Sequence, residues 1–174
     1  MTDRIYPEEP AGSFPAPPLS VTDGEGRTIE IRTVDAGAYE DLVEMYRDFD
    51  PADRAQGIPP VSEDAIRDWL EALLDQGSYN VVALHEGSPV GHAILVPDDT
   101  GAYELAVFVL HDYQNAGIGT HLLEALLGRG QEAGVERVWL TVERWNEPAI
   151  ALYKKLGFET CDAESFELEM SIRL

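Results

Sequence analysis

The chain has 174 residues, the size of one ordinary domain, and is long enough to bury roughly two-thirds of its unfolded surface without a disulfide or metal staple. Thirty-three acidic residues against twelve basic ones give a formal net charge of −21, and the only lysines are Lys154 and Lys155. Such a balance cannot neutralise a run of phosphates, which argues against nucleic-acid binding, and no apolar run approaches the roughly 20 residues that span a bilayer.

The acids are scattered over the whole chain. That distribution points to a carboxylate-rich surface kept hydrated in concentrated salt, a halophilic-like trait, rather than to steering of a cationic substrate, which salt would screen. The opening "MTDRIYPEEP" lacks the basic-then-apolar order of a signal peptide, and the single cysteine, Cys161, has no partner in the chain. A cytoplasmic monomer or small oligomer, such as a homodimer, is expected.

Residues 1–26 hold five prolines and end in "TDGEGR", which reads as an extension without a core of its own, draped over a domain spanning 27–174. "TIEIRTV" is the first predicted strand. Asp35 caps a helix whose apolar positions Tyr39, Leu42, Val43 and Tyr46 repeat at helical spacing. After the irregular "DPADRAQGIPP", Ser62 caps a second helix with a Val61–Ile66 staple and a buried face of Ile66, Trp69, Leu70 and Leu73. "NVVALHE" and "PVGHAILVP" read as a hairpin around a Gly-Ser turn, and "AYELAVFVL" as a fourth strand. A third helix follows it, with Gly128 and Gly130 near its C-terminal end, each costing about 1 kcal/mol against Ala. Either the helix ends early or packing compensates. "RVWLTVE" is a fifth strand. "NEPAIALYKKLG" is a fourth helix with Asn146 as cap, Pro148 in its first turn and Gly157 as its stop. "SFELEMSIRL" alternates strictly, with Phe166, Leu168, Met170 and Ile172 on one face, and makes a sixth or seventh strand. The whole is one mixed α/β (α+β) domain with about four helices.

The informative stretch is "LAVFVLHDYQNAGIGTHLLEALLG", where a strand hands over to a helix through two glycines. A Walker loop needs Lys and Ser or Thr after its last Gly, whereas Thr120 and His121 follow Gly119. A dinucleotide fingerprint needs a third Gly where Leu122 stands. What remains is "QNAGIG": unsatisfied N–H groups and the positive dipole end at a helix start favour an anion, and glycines let a phosphate approach the main chain.

With this motif, the "ELAVFVL" strand before it and "NEPAIALYKKLGF" after the fifth strand, residues 28–174 resemble the GNAT N-acetyltransferase superfamily. Asn146, Ala149, Tyr153, Gly157 and Phe158 stand in the register of the family's second motif, and the order of elements matches. The resemblance implies a mixed, mostly antiparallel sheet of six to seven strands, splayed between the fourth and fifth. It implies acetyl-CoA as co-substrate, with no metal. The pantetheine arm would pair with main-chain groups of Phe108 and Val109, and an amide near Val107 or Phe108 would meet the acyl oxygen. Gln114, Asn115, Ala116, Gly117, Ile118 and Gly119, with Thr120 beside them, would hold the pyrophosphate. Asn146 and Ala149 would lie near the pantetheine.

Acyl transfer from a thioester to an amine needs donors for the acyl oxygen, a base for the amine and an acid for the leaving thiolate. By the resemblance Tyr153 is that acid, although its helical spacing equally suits a core residue. Glu104 is the candidate base: alternation places it with Ala106 and Phe108, and burial there would raise its pKa. Glu143 is a weaker rival. No Gly-x-Ser-x-Gly elbow is present, Cys161 reads as structural, and His85, His92, His111 and His121 have no metal-ligand spacing. Arg54, Gln56 and nearby prolines shape an acceptor rim. The expected activity is acetyl transfer to a primary amine of a small molecule. The alternatives are a protein-lysine acetyltransferase and a non-catalytic acyl-CoA sensor.

Overall fold

The computed structural model describes residues 4–54, 58–75, 77–163 and 166–174. Gln56 lies outside them. One eight-stranded sheet runs through the molecule: β1 (Leu19–Thr22), β2 (Thr28–Thr33), β3 (Tyr79–His85), β4 (Ser88–Pro97), β5 (Tyr103–Val109), β6 (Arg137–Glu143), β7 (Glu159–Ala163) and β8 (Glu167–Arg173), in the spatial order β1-β2-β3-β4-β5-β6-β8-β7. Every neighbouring pair is antiparallel except β5–β6. The mixed α/β, mostly antiparallel class expected from the sequence is therefore found, with eight strands in place of six to seven. The additions are β1, which proline density hid, and the short β7, whose "ETCDA" carries no buried alternation.

Helices α1 (Tyr39–Arg47) and α2 (Glu63–Leu74) cover one face of the sheet, and α3 (Ile118–Glu132) and α4 (Glu147–Leu156) pack into the larger core on the other. Asp35 caps a single 3₁₀ turn, accepting from Gly37 N, before α1 begins. Ser62 caps α2 and Asn146 caps α4 as the sequence predicts. The staple does not form, because Val61 stays 73 % exposed while Ile66 is fully buried. On β8, Leu168, Met170 and Ile172 face the core as alternation demands, but Phe166 precedes the strand and is 68 % exposed.

Beneath α1 and α2, Tyr46, Phe49 and Trp69 meet Phe108 of β5 edge-on, with ring centroids 5.4–6.1 Å apart. Behind them His92 is fully buried and spans Tyr46 and Asn80. Asn80 Oδ1 can only accept, so His92 Nε2 carries the hydrogen and Nδ1 accepts from the Tyr46 hydroxyl. Burial pushes the His92 pKa down to about 3, so the ring is neutral.

The third helix does not end early. It runs through both glycines, and the reason lies in the N-terminal segment. A Cβ at Gly128 would sit 2.5 Å from the Pro15 carbonyl oxygen, and one at Gly130 would sit 3.0 Å from Leu95. Gln131 clasps the same segment, donating to Gly12 O and accepting from Phe14 N. Nearer its start the segment crosses β8: Ser171 Oγ donates to Ile5 O, Arg173 Nε donates to Pro7 O, and Ala11 N donates to Arg173 O, each at 2.7 Å. Residues 4–15 thus form a strap from the outer face of β8 to the end of α3.

Candidate active site

The pairing of β5 with β6 comprises only Tyr103–Val138 and Glu104–Trp139, near the start of each strand. Beyond Glu104, β4 is the only described strand that pairs with β5, and the Leu105–Val109 stretch lines a cleft. The cleft has a volume of about 580 Å³. Its walls bring together seven of the residues expected to bind cofactor or to act as catalytic acid and base: Glu104, Val107, Phe108, Val109, Gln114, Asn146 and Tyr153. They come from β5, the turn after it and the start and middle of α4.

Gln114 folds back so that its Nε2 donates to Val109 O at 3.1 Å, tying the turn to the strand end. Asn115, with φ 60°, and Gly117, with φ 84°, both adopt the left-handed conformation that reverses the chain into α3. Gly117 is the N-cap and carries no side-chain cap, so the first N–H groups of α3 are unclaimed by any side chain. A Cβ at Gly117 would meet no atom within 4 Å, and one at Gly119 only Val109 Cγ2 at 4.0 Å. The space beside the bare backbone is open, as an anion cradle requires. Ala116 and Ile118 are buried in the core and offer only main chain there, and Ala149 packs against the core as well. Asn115, Ala116, Gly117, Ile118, Gly119, Thr120 and Ala149 thus lie outside the cleft wall proper.

Tyr153 is only 8 % exposed, and no hydrogen bond to its hydroxyl is found among the described residues. Burial pushes its pKa up to about 12, so it remains a neutral phenol that can donate. Glu104 lines the same cleft. It is exposed into the cleft, yet partial desolvation still raises its pKa, opposed by Arg4 and reinforced by Asp98, Glu169 and Glu167. A phenol held protonated and a carboxylate with raised basicity line one cleft.

The rest of the cleft wall was less visible in the sequence. Phe49, Ala52, Asp53, Arg54 and Ile58 overhang it from the connection between α1 and α2, and Thr141, Glu143 and Glu167 line it from β6 and β8. Glu143 and Glu167 are direct cross-strand partners, and neither has an ion-pair partner among the described residues. Two like charges so placed repel and favour a cation between them. Arg54 is the only cation on the described wall, and its buried Nε has no hydrogen-bond partner there. His111, Asp50 and Asp53 bring ligand atoms within 4.8 Å, a grouping across separate segments, and His111 Nδ1 lies 3.2 Å from Asp53 Oδ2. Cys161 sits on β7 away from the cleft, its thiol pKa raised by burial.

A family profile for the acetyltransferase (GNAT) family matches residues 39–158, and the chain belongs to that family. It is 32 % identical over 101 residues to an uncharacterised N-acetyltransferase of Mycobacterium bovis, a match covering 58 % of this chain and 65 % of that relative. The chain therefore spans less than two-thirds of that relative's length. The fold resembles the GNAT domain of S. lividans PAT, with a TM-score of 0.77 at 16 % identity over 90 % of this chain and 96 % of the other. It also resembles yncA, a putative acetyltransferase from Salmonella typhimurium solved with acetyl-CoA, with a TM-score of 0.67 at 22 % identity over 84 % and 94 % of the two chains. Among the described residues no helix is long and apolar enough to cross a membrane.

Proposed function

We propose that this chain is an acetyl-CoA-dependent N-acetyltransferase that acetylates a primary amine by direct attack, with a small-molecule amine as acceptor. The observation that carries the reading is the pairing, in one cleft, of the buried, unpartnered Tyr153 hydroxyl with the Glu104 carboxylate, beside the unpaired edge of β5. The open backbone at Gly117 and Gly119 fits a pyrophosphate, and the free edge of β5 fits an extended pantetheine arm. Acetyl-CoA brings the thioester; the protein does the rest by position and proton transfer.

Glu143 and Glu167 draw in the ammonium form of the acceptor. Glu104 takes one of its protons, directly or through water, freeing the nitrogen lone pair. As the C–N bond forms and the C–S bond breaks, a β5 amide near Val107 or Phe108 supports the acyl oxygen, and Tyr153 gives its proton to the departing sulfur. The second proton lost from nitrogen restores the phenol, and the one held by Glu104 passes to solvent. The enzyme acts in the cytoplasm, and its −21 charge is an adaptation to a salt-rich interior.

The test is a melting curve with and without acetyl-CoA, followed by thiol release across an amine panel at low and molar salt. Acetyl-CoA is expected to raise the melting temperature, and one or more amines to release free thiol. An unchanged melting temperature overturns the reading; binding without thiol release leaves the sensor function in its place. A protein amine is the second reading, favoured by Trp145 and Phe166. These are 64 % and 68 % exposed beside Glu143, Asn146 and Glu167, and Arg144 N donates to Phe166 O at their junction. Peptides outperforming free amines in the panel would select it.

A further inference from the structure

The strap of residues 4–15 lies outside the stretch that matches the family, yet its first residues reach the outer face of the sheet next to the candidate base. Glu104 and Trp139 are register partners across β5–β6, so their side chains rise from the same face. The guanidinium of Arg4 lies 3.6 Å from the centroid of the Trp139 ring, and its Nε donates to Glu169 Oε1 at 2.5 Å. Trp139 Nε1 in turn donates to Asp98 Oδ2. Arg4 is thereby held over the indole that flanks Glu104.

We infer that the N-terminal strap is part of the acceptor site, walling it beside Glu104, with Arg4, seated on the Trp139 ring, a positioning residue for the Glu104 carboxylate. The inference rests on the acetyltransferase reading for its catalytic consequence, but the contact itself can be tested without it. Arg4 acts against an acidic background. Asp98 from the end of β4, and Glu167 and Glu169 from β8, all push Glu104 toward its protonated form. Glu143 of β6, Asp53 and Arg54 of the α1–α2 connection and Tyr153 of α4 line the same cleft. Arg4 is the cation that electrostatically opposes this acidic set at Glu104. Without it, Glu104 would take up its proton at a higher pH, and the fraction of active base would fall on the acid side.

The experiment compares the full-length wild type with Arg4→Gln and Arg4→Lys. The Glu104 carboxyl is followed by carbon-13 NMR through a pH titration, assigned with Glu104→Gln. In parallel, kcat/KM against pH is measured with acetyl-CoA and butylamine as probe amine. In Arg4→Gln the Glu104 titration and the acid limb of kcat/KM are expected to move together to higher pH. The plateau and the KM for acetyl-CoA should hold, and Arg4→Lys should restore both curves. An unmoved Glu104 titration in Arg4→Gln overturns the proposal whatever the activity. A rate loss equal at every pH overturns it too, because that is what a merely structural strap would give. Absence of turnover in the wild type counts against the acetyltransferase reading alone, since the NMR titration still decides whether Arg4 governs Glu104.

Discussion

The two sides of the cleft are built in opposite ways. The proposed cofactor side draws on two stretches of the chain: the β5 edge from Leu105 through the turn at Gln114 and Gly117 to the start of α3, then Asn146 and Tyr153 seven residues apart at the cap and in the middle of α4. The proposed acceptor side is assembled from three distant pieces: the Phe49–Arg54 connection with Ile58, Glu143 of β6 and Glu167 of β8. A main-chain cradle can be written as a short motif, because its donors are backbone groups whose direction follows from local conformation. A side-chain surface for an acceptor cannot, because its members meet only through sheet register and loop packing.

If that contrast holds, a change in the cradle should remove binding outright. Gly117→Ala is expected to abolish the melting-temperature response to acetyl-CoA. Stability of the free protein should fall only by about 1–2 kcal/mol, the cost of a left-handed L-residue where no atom crowds the new Cβ. A retained response would mean that the bare backbone at this turn is not the phosphate site.

Changes at the chemical groups should spare binding and cut turnover. Tyr153→Phe is expected to lower kcat by about 100-fold and Glu104→Gln by about 10- to 100-fold, each with the melting response to acetyl-CoA intact. Because partial desolvation raises the Glu104 pKa and the ionised form is the base, wild-type kcat/KM should fall with decreasing pH at a higher pH than an ordinary carboxylate would give. Glu104→Gln should erase that limb. Full activity in both variants would remove these roles while leaving the fold as it is.

The smallest effect tests the strap as architecture. Gly128→Ala gains about 1 kcal/mol of helix propensity but drives a Cβ into the Pro15 carbonyl, and overpacking typically costs about 1–3 kcal/mol. A net loss of about 1 kcal/mol in urea unfolding is expected. A stabilised variant would mean that the strap does not rest on α3.

Elements with strong periodicity or unambiguous punctuation were legible from residues alone. Asn146, Pro148 and Gly157 bounded α4, and Ser62 opened α2. Glu104 was located on its strand face but its exposure into the cleft was not, since alternation assigns a face and not what lies above it. The staple at Val61 failed for the same reason: its spacing was right and its neighbour absent. Gly128 looked like a defect, and only the carbonyl of Pro15, 113 positions earlier, explains it.

By itself the sequence determined the order of six of the eight strands and the four main helices, the caps of α2 and α4 and the glycine turn at the head of α3, because each depends on backbone preferences a few residues long. Tertiary structure alone decided where β5 and β6 part, which acids face each other across β6 and β8, and that the proline-rich start of the chain lies beside the candidate base. Those outcomes depend on packing between segments far apart in the chain, and the energy of such contacts has no local signature.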